Sequence, residues 1–386
     1  MDFQLTPVQL QMQEQARAFA TQEVAPLSRE ADEQGLFPLH LVRRMGELGF
    51  LAAPIAPEYG GGGRDYISYA ILCEELGRVD ASVRGFLTVH TSLVSLCLQE
   101  WGTEEQKRRH LPLLASGEEI GCYALTESNA GSDAASMETT AREEGDEYVL
   151  NGEKIWITNG LSAHLAIVFA SRDRSARHRG ICAFLLATDI PGFLREPMPG
   201  HELGHRASEH ARITLKDCRV PRTALLGAPG EGFKVAMSAL DRGRLGVAAG
   251  AVGIASACLD ASVAYTRQRR QFGQRLADFQ MLQATLADIA ADVEAARLLV
   301  YQAAWAKDQG LPTTKLTSIA KLFATEAAMK AASEAVLMHG NRGYSNEYPV
   351  ERHYRDIKGL QIYEGTSHIQ RMIIARELVG RDRQEH

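Results

Sequence analysis

The chain has 386 residues, 45% hydrophobic and 23% charged, the balance of an ordinary globular protein of two or three domains. Its formal net charge of −6 argues against nucleic acid as a main partner, because phosphate binding leans on basic surface. The six cysteines are scattered without a CxxC pair, so metal-ligand spacing is absent; the length of the chain argues against a disulfide framework and predicts reduced, mostly buried thiols.

The N-terminus lacks a basic segment followed by an apolar core, so no signal peptide is read there. No apolar run reaches the ~18 residues of a membrane span, and the cytoplasm is the expected location. Residues 1–120 read as a helical domain. Thr6 and Gln9 flank Pro7 as a capping box, and Thr103 with Gln106 repeats the arrangement. The glycines at 60–63 lack a following GK[ST] and read as a flexible turn rather than a phosphate loop.

Residues 121–230 change character. Segments 122–125, 148–150, 154–158, 165–170, 181–186 and 211–215 are short and rich in β-formers. Asn151-Gly152 predicts a hairpin turn between two of them. This region reads as a small β-barrel or sandwich. Residues 231–386 return to a helical period. Four long helices are expected, near 232–268, 275–309, 313–339 and 349–380, the last broken at Gly359. The small residues at 247–257 suit close helix packing. The fold class is therefore α+β, mainly α: a helical domain, a middle β domain and a C-terminal four-helix bundle.

Three segments carry chemistry. In Ala124-Leu125-Thr126-Glu127-Ser128-Asn129-Ala130-Gly131-Ser132-Asp133, a strand leads into a loop of small and hydroxyl residues. Its N–H groups and the Thr126 hydroxyl can bond a flat heterocycle edge, and Ser132 can meet a phosphate or pantetheine. In Arg269-Arg270-Gln271-Phe272-Gly273, Arg269 offers permanent charge to a pyrophosphate, and Phe272 with Leu276 offers apolar surface. In Tyr363-Glu364-Gly365-Thr366, Glu364 stands just before a last helix that Ser367 and Gln370 can cap. The helix N-terminus favours its anion and burial disfavours it.

Together, at this spacing, the three segments resemble the acyl-CoA dehydrogenase family over nearly the whole chain. The resemblance implies FAD, held by Tyr123, Leu125, Thr126, Gly131, Ser132, Trp156, Thr158, Arg269, Phe272, Leu276, Thr366 and His368. It implies Glu364 as the base that takes the α-proton of a short or branched acyl-CoA thioester. Arg84, Thr88, Ser132, Asp241, Arg244, Tyr363 and Gly365 then fall at substrate-binding positions. It further implies a homotetramer, with Arg269 reaching across a subunit boundary, and an electron-transfer flavoprotein as acceptor. No nucleic acid or membrane partner is expected.

The chain also departs from the family pattern. Some relatives carry their base on a bundle helix, at a position occupied here by Gly243, so Glu364 is the single expected base. Leu337 and Asn341 replace a usual Gln and Gly, and His368 replaces a usual Gln or acid. Arg84 stands where short-chain enzymes have a small residue and glutaryl-CoA dehydrogenases have the Arg that receives a distal carboxylate. Gly77 stands where the latter place an acid. Arg172, Arg174, Arg177 and Arg179 form a basic loop that reads as a solvated face or as a docking point for the phosphates of CoA or an acidic carrier protein. The alternatives left open are a dicarboxylic acyl-CoA, an acyl-carrier-protein thioester, and a non-dehydrogenase flavoprotein of the same fold.

Overall fold

The computed structural model describes residues 3–380. Helices fill the chain to Ser116, strands lie between Gly121 and Leu226, and helices return from Gly232. Both expected capping boxes form: the Thr6 and Thr103 side chains accept from the N–H groups of Gln9 and Gln106. The glycine turn at 60–63 is tied down. The N–H groups of Gly61, Gly62, Gly63 and Arg64 donate to the carbonyls of Ala56, Ala52, Ile55 and Ala53.

The middle region is one 8-stranded sheet. Strand Leu165–Ser171 is buried on both faces, because alternate side chains meet different cores. Ile167 and Phe169 pack with the helical residues Leu98, Val235 and Ala239. Ala166 and Val168 pack with Tyr148, Ile213 and Leu215 inside the sheet's curve. The expected hairpin at Asn151-Gly152 does not form. Glu147–Ile157 is a single strand that runs through it, paired with Ala211–Pro221, and the register shifts between Leu150 and Gly152. The Asn151 side chain exchanges hydrogen bonds with Asp217, at 2.9 and 3.1 Å, and Gly152 lies so close to Thr139 that a Cβ would sit 2.5 Å from its Oγ1. The dipeptide thus makes a bulge, and long-range pairing overrides its turn preference. The tight turn is instead Gly145-Asp146, joining Thr140–Glu144 to Glu147–Ile157.

In the C-terminal part, Gly232–Gln268 is one continuous helix despite its glycines. The next helix starts at Gln280 rather than 275, because Arg270–Gln271 and Gln274–Arg275 form a small hairpin turning at Phe272 and Gly273, both with positive φ. Thr314–His339 follows. The last break falls at 361–366, between Val350–Leu360 and Ser367–Val379. Two helical spans, Ala81–Trp101 and Gly232–Gln268, are long and apolar enough to cross a membrane by length and composition, though charged residues interrupt both. Both are mostly covered by the rest of the fold, at 89% and 67% of their most apolar windows.

Close packing explains the glycines. A Cβ at Gly253 would lie 2.1 Å from the Glu74 carbonyl oxygen, and one at Gly77 would lie 2.5 Å from that of Gly250. The helix Tyr66–Gly77 therefore touches Gly232–Gln268 backbone to backbone. Gly243, Gly246, Gly250 and Gly253, at helical spacing, form one face of the long helix.

Candidate active site

That glycine face also makes room for side chains. A Cβ at Gly250 would lie 2.8 Å from Arg84 Cδ, one at Gly246 2.9 Å from Thr88 Cγ2, and one at Gly243 2.0 Å from Glu364 Oε2. The position expected to hold the base in other relatives thus abuts the Glu364 carboxyl. The two positions address one spot.

Arg84 and Thr88 come from Ala81–Trp101, whose first turn is capped by Asp80 accepting from Ser82 and Val83. This helix loosens into a π segment at Val89–Ser95, which adds Val89 and Leu93 to the wall. Trp156 lies where the register of Glu147–Ile157 shifts again, between Lys154 and Ile157, with φ +59. The bulge turns the indole outward, leaving it 49% exposed at the cleft and edge-on to His210. The Ile155 N–H donates to the Thr126 carbonyl at 2.9 Å, locking this strand to the Thr126 loop. Beneath them, buried Lys154 donates to the Leu125 carbonyl and to Glu127. Burial pushes the Lys154 pKa down to about 8, against the pull of Glu127.

These elements enclose a cleft of ≈ 700 Å³, open mouth included. Of the expected residues it brings together Arg84, Tyr123, Leu125, Thr126, Trp156, Thr158, Tyr363 and Glu364. Gly131, Ser132, Arg269, Phe272, Leu276, Thr366 and His368 do not line it; of these, Gly131, Ser132, Arg269, Phe272 and His368 are exposed. Asp241 is also not on its wall: it accepts from Thr313, Thr317 and Arg244, at 3.0, 3.0 and 3.2 Å. The expected Ser367 cap is corrected to Thr366, whose hydroxyl accepts from the Ile369 N–H. Ser367 bonds Glu326 instead, and Gln370 reaches back to the carbonyls of Glu364 and Gly365.

Sequence reasoning missed His205, Ser208 and His210, which reach the cleft from a stretch without periodicity. It also missed Lys321, a lone charge on a helix face otherwise made of Thr317, Ala324 and Thr325. That isolation was the available signal.

Glu364 sits at φ +54, and its Oε2 is enclosed with no hydrogen-bond partner among the described residues. Burial pushes its carboxyl up to about 7, against the opposing charges of Arg84, Lys321 and Arg244. Arg84 is 1% exposed and forms no ion pair among the described residues. It donates to the Tyr363 hydroxyl and to Thr88, and its Nε has no partner. A half-exposed indole on strained backbone, beside two threonine hydroxyls and opposite an unpartnered carboxylate, fits a flat, polar-edged ring system such as a flavin.

Comparison with known proteins agrees. Models of the acyl-CoA dehydrogenase N-terminal, middle and C-terminal domains match residues 6–118, 122–218 and 230–379. The chain is 45% identical over 368 residues to the short-chain specific acyl-CoA dehydrogenase of Rattus norvegicus mitochondria, covering 95% of this chain and 89% of the relative. Butyryl-CoA dehydrogenase from Megasphaera elsdenii superposes with a TM-score of 0.96 at 42% identity, covering 98% of this chain and 100% of that one. A glutaryl-coenzyme A dehydrogenase in complex with glutaryl-CoA superposes with 0.95 at 39%, covering 98% and 97%. Three matched domains in order, and a cleft with the unpartnered Glu364 Oε2 in its wall, make this chain a member of the acyl-CoA dehydrogenase family, FAD-dependent enzymes that dehydrogenate acyl-CoA thioesters.

Proposed function

We propose that the chain oxidises the Cα–Cβ bond of a short or branched acyl-CoA thioester, with Glu364 as the base. The observation that carries this reading is the enclosed, unpartnered Glu364 Oε2 in the wall of the cleft. A proton-abstracting carboxylate needs a free lone pair at the substrate and a pKa near the working pH. Glu364 takes the α-proton, and the C–H electron pair forms the new double bond as the β-hydrogen leaves from the other carbon. Bound FAD would supply the acceptor for that hydrogen and its electron pair. Trp156 and the Thr126 and Thr158 hydroxyls, all on the cleft wall, would hold the ring, and the low-dielectric wall of Leu93 and Leu125 keeps bulk water from competing for the proton. The Glu364 N–H supplies a donor for the thioester oxygen, and such donors contribute roughly 3 kcal/mol as charge develops.

The relatives named for short-chain and butyryl substrates support the short acyl group. Arg84 favours a second reading, in which the acyl group ends in a carboxylate. A buried guanidinium with a free Nε and no ion pair has an anion as its natural bidentate partner. Gly77 argues against copying the glutaryl site in full, since the backbone at Gly250 leaves no room there for an acidic side chain. The assembly is proposed as a homotetramer and the acceptor as an electron-transfer flavoprotein.

Anaerobic mixing of the yellow holoprotein with butyryl-, isobutyryl-, hexanoyl-, succinyl- and glutaryl-CoA tests both readings. Rapid bleaching by the monocarboxylic members is expected under the first, and bleaching confined to the diacids under the second. No bleaching by any of them refutes both readings.

A further inference from the structure

Lys321, in Thr314–His339, is fully buried and makes no ion pair among the described residues. Burial pushes its pKa down to about 7, although Glu364 pulls the other way. A lysine held at such cost has a reason to be there. Its ammonium donates to the carbonyls of Tyr363 at 2.9 Å and Gly365 at 2.5 Å. Gln370, from the last helix, donates to those of Glu364 at 3.3 Å and Gly365 at 2.8 Å. Three consecutive carbonyls are thereby fixed around a glutamate in the left-handed region, followed by Gly365 at φ +92. An isolated chain seldom holds a non-glycine residue there.

The peptide unit is planar and trans, so its C=O and N–H point in opposite directions. With the Tyr363 carbonyl turned to Lys321, the Glu364 N–H must face away from it. We propose that Lys321 is a positioning residue for the reaction: by gripping the carbonyls on both sides of Glu364, it seats the carboxylate against Gly243 and aims the Glu364 N–H at the thioester oxygen. One side chain thus orients both the proton acceptor and the oxyanion donor. This rests on Glu364 being the base.

The test uses holoenzyme carrying Lys321→Met, Lys321→Gln or Glu364→Gln, with butyryl-CoA as probe. FAD content, kcat, KM and anaerobic exchange of the α-proton with deuterated water are measured. Lys321→Met is expected to keep FAD yet lose about 100-fold in kcat and in exchange, the penalty of a misplacement near 1 Å, with KM changed less than about threefold. Lys321→Gln, whose amide can still donate to one carbonyl, should recover about tenfold of that loss. The charged groups acting on the Glu364 carboxyl are Arg84, Lys321 and Arg244, so losing the ammonium should also move the acid limb of kcat/KM upward in pH. A fold defect alone would lower FAD content and leave that limb in place, and this result overturns the proposal. Unchanged exchange in Lys321→Met overturns it as well. Persistent exchange in Glu364→Gln instead refutes the base assignment itself, so the two failures are distinguishable.

Discussion

Glu364 couples catalysis and stability to the same proton. Its carboxyl ionises near pH 7 in the folded protein, because burial outweighs the pull of Arg84, Lys321 and Arg244. A base acts as its anion, so kcat/KM should climb with pH through a limb near 7 and level off above it. A profile flat across that range would remove Glu364 from the role. The unfolded carboxyl ionises near 4.3, well below the folded value. The folded state therefore binds more protons between those values, and its stability falls as pH rises through them. Replacing Glu364 with Gln removes this penalty. The variant should melt like wild type near pH 4 and gain up to ~4 kcal/mol on it above pH 7, while losing about 1,000-fold in turnover. Equal melting temperatures at both ends would show that the carboxyl is not desolvated. Arg84 makes a separate prediction. Arg84→Ala should cost a substrate with a distal carboxylate 10-fold to 100-fold in kcat/KM, on the order of one lost charge-assisted pair, and spare butyryl-CoA at pH values above the Glu364 limb. Equal losses on both substrates would make Arg84 a structural residue.

The helix Gly232–Gln268 packs on one glycine face, and each glycine meets something different. At Gly253 a Cβ would strike the Glu74 carbonyl, so Gly253→Ala must push two helices apart. It should lower unfolding free energy by about 1–3 kcal/mol, seen as an earlier midpoint in urea. At Gly243 the Cβ would meet the end of the Glu364 side chain, which can swing aside. Gly243→Ala should therefore keep its stability and lose turnover. If both variants unfold early with activity intact, the face serves packing alone. The Asn151-Gly152 strand teaches the same lesson about context. The dipeptide can form a tight turn, yet a long partner strand and the Asp217 side chain recruit it into a bulge.

At the scale of the whole molecule, the largest exposed apolar side chains fall mainly in the C-terminal part. Phe272 is 94% exposed, Tyr344 88%, Met281 84% and Leu337 72%. The proposed assembly would cover side chains of this kind. Light scattering on the holoprotein should give four chains per particle, and Phe272→Asp should shift it to smaller species with weaker FAD retention. A monomeric wild type with full FAD would contradict the proposed assembly.

The sequence by itself determined what depends on neighbours along the chain. Helical periods, both capping boxes, the order helices–strands–helices and the two short motifs around Thr126 and Glu364 are local patterns, and local patterns survive without a fold. Tertiary structure decided what depends on residues remote in sequence. It set Gly243 beneath the Glu364 carboxyl, brought Lys321 to the carbonyls of Tyr363 and Gly365, and left Arg84 buried without an anion. It also moved the last cap from Ser367 to Thr366, because Glu326 claims the Ser367 hydroxyl. A side chain's partners, its solvation and hence its proton affinity are set by what packs around it, and the linear order of residues does not specify that packing.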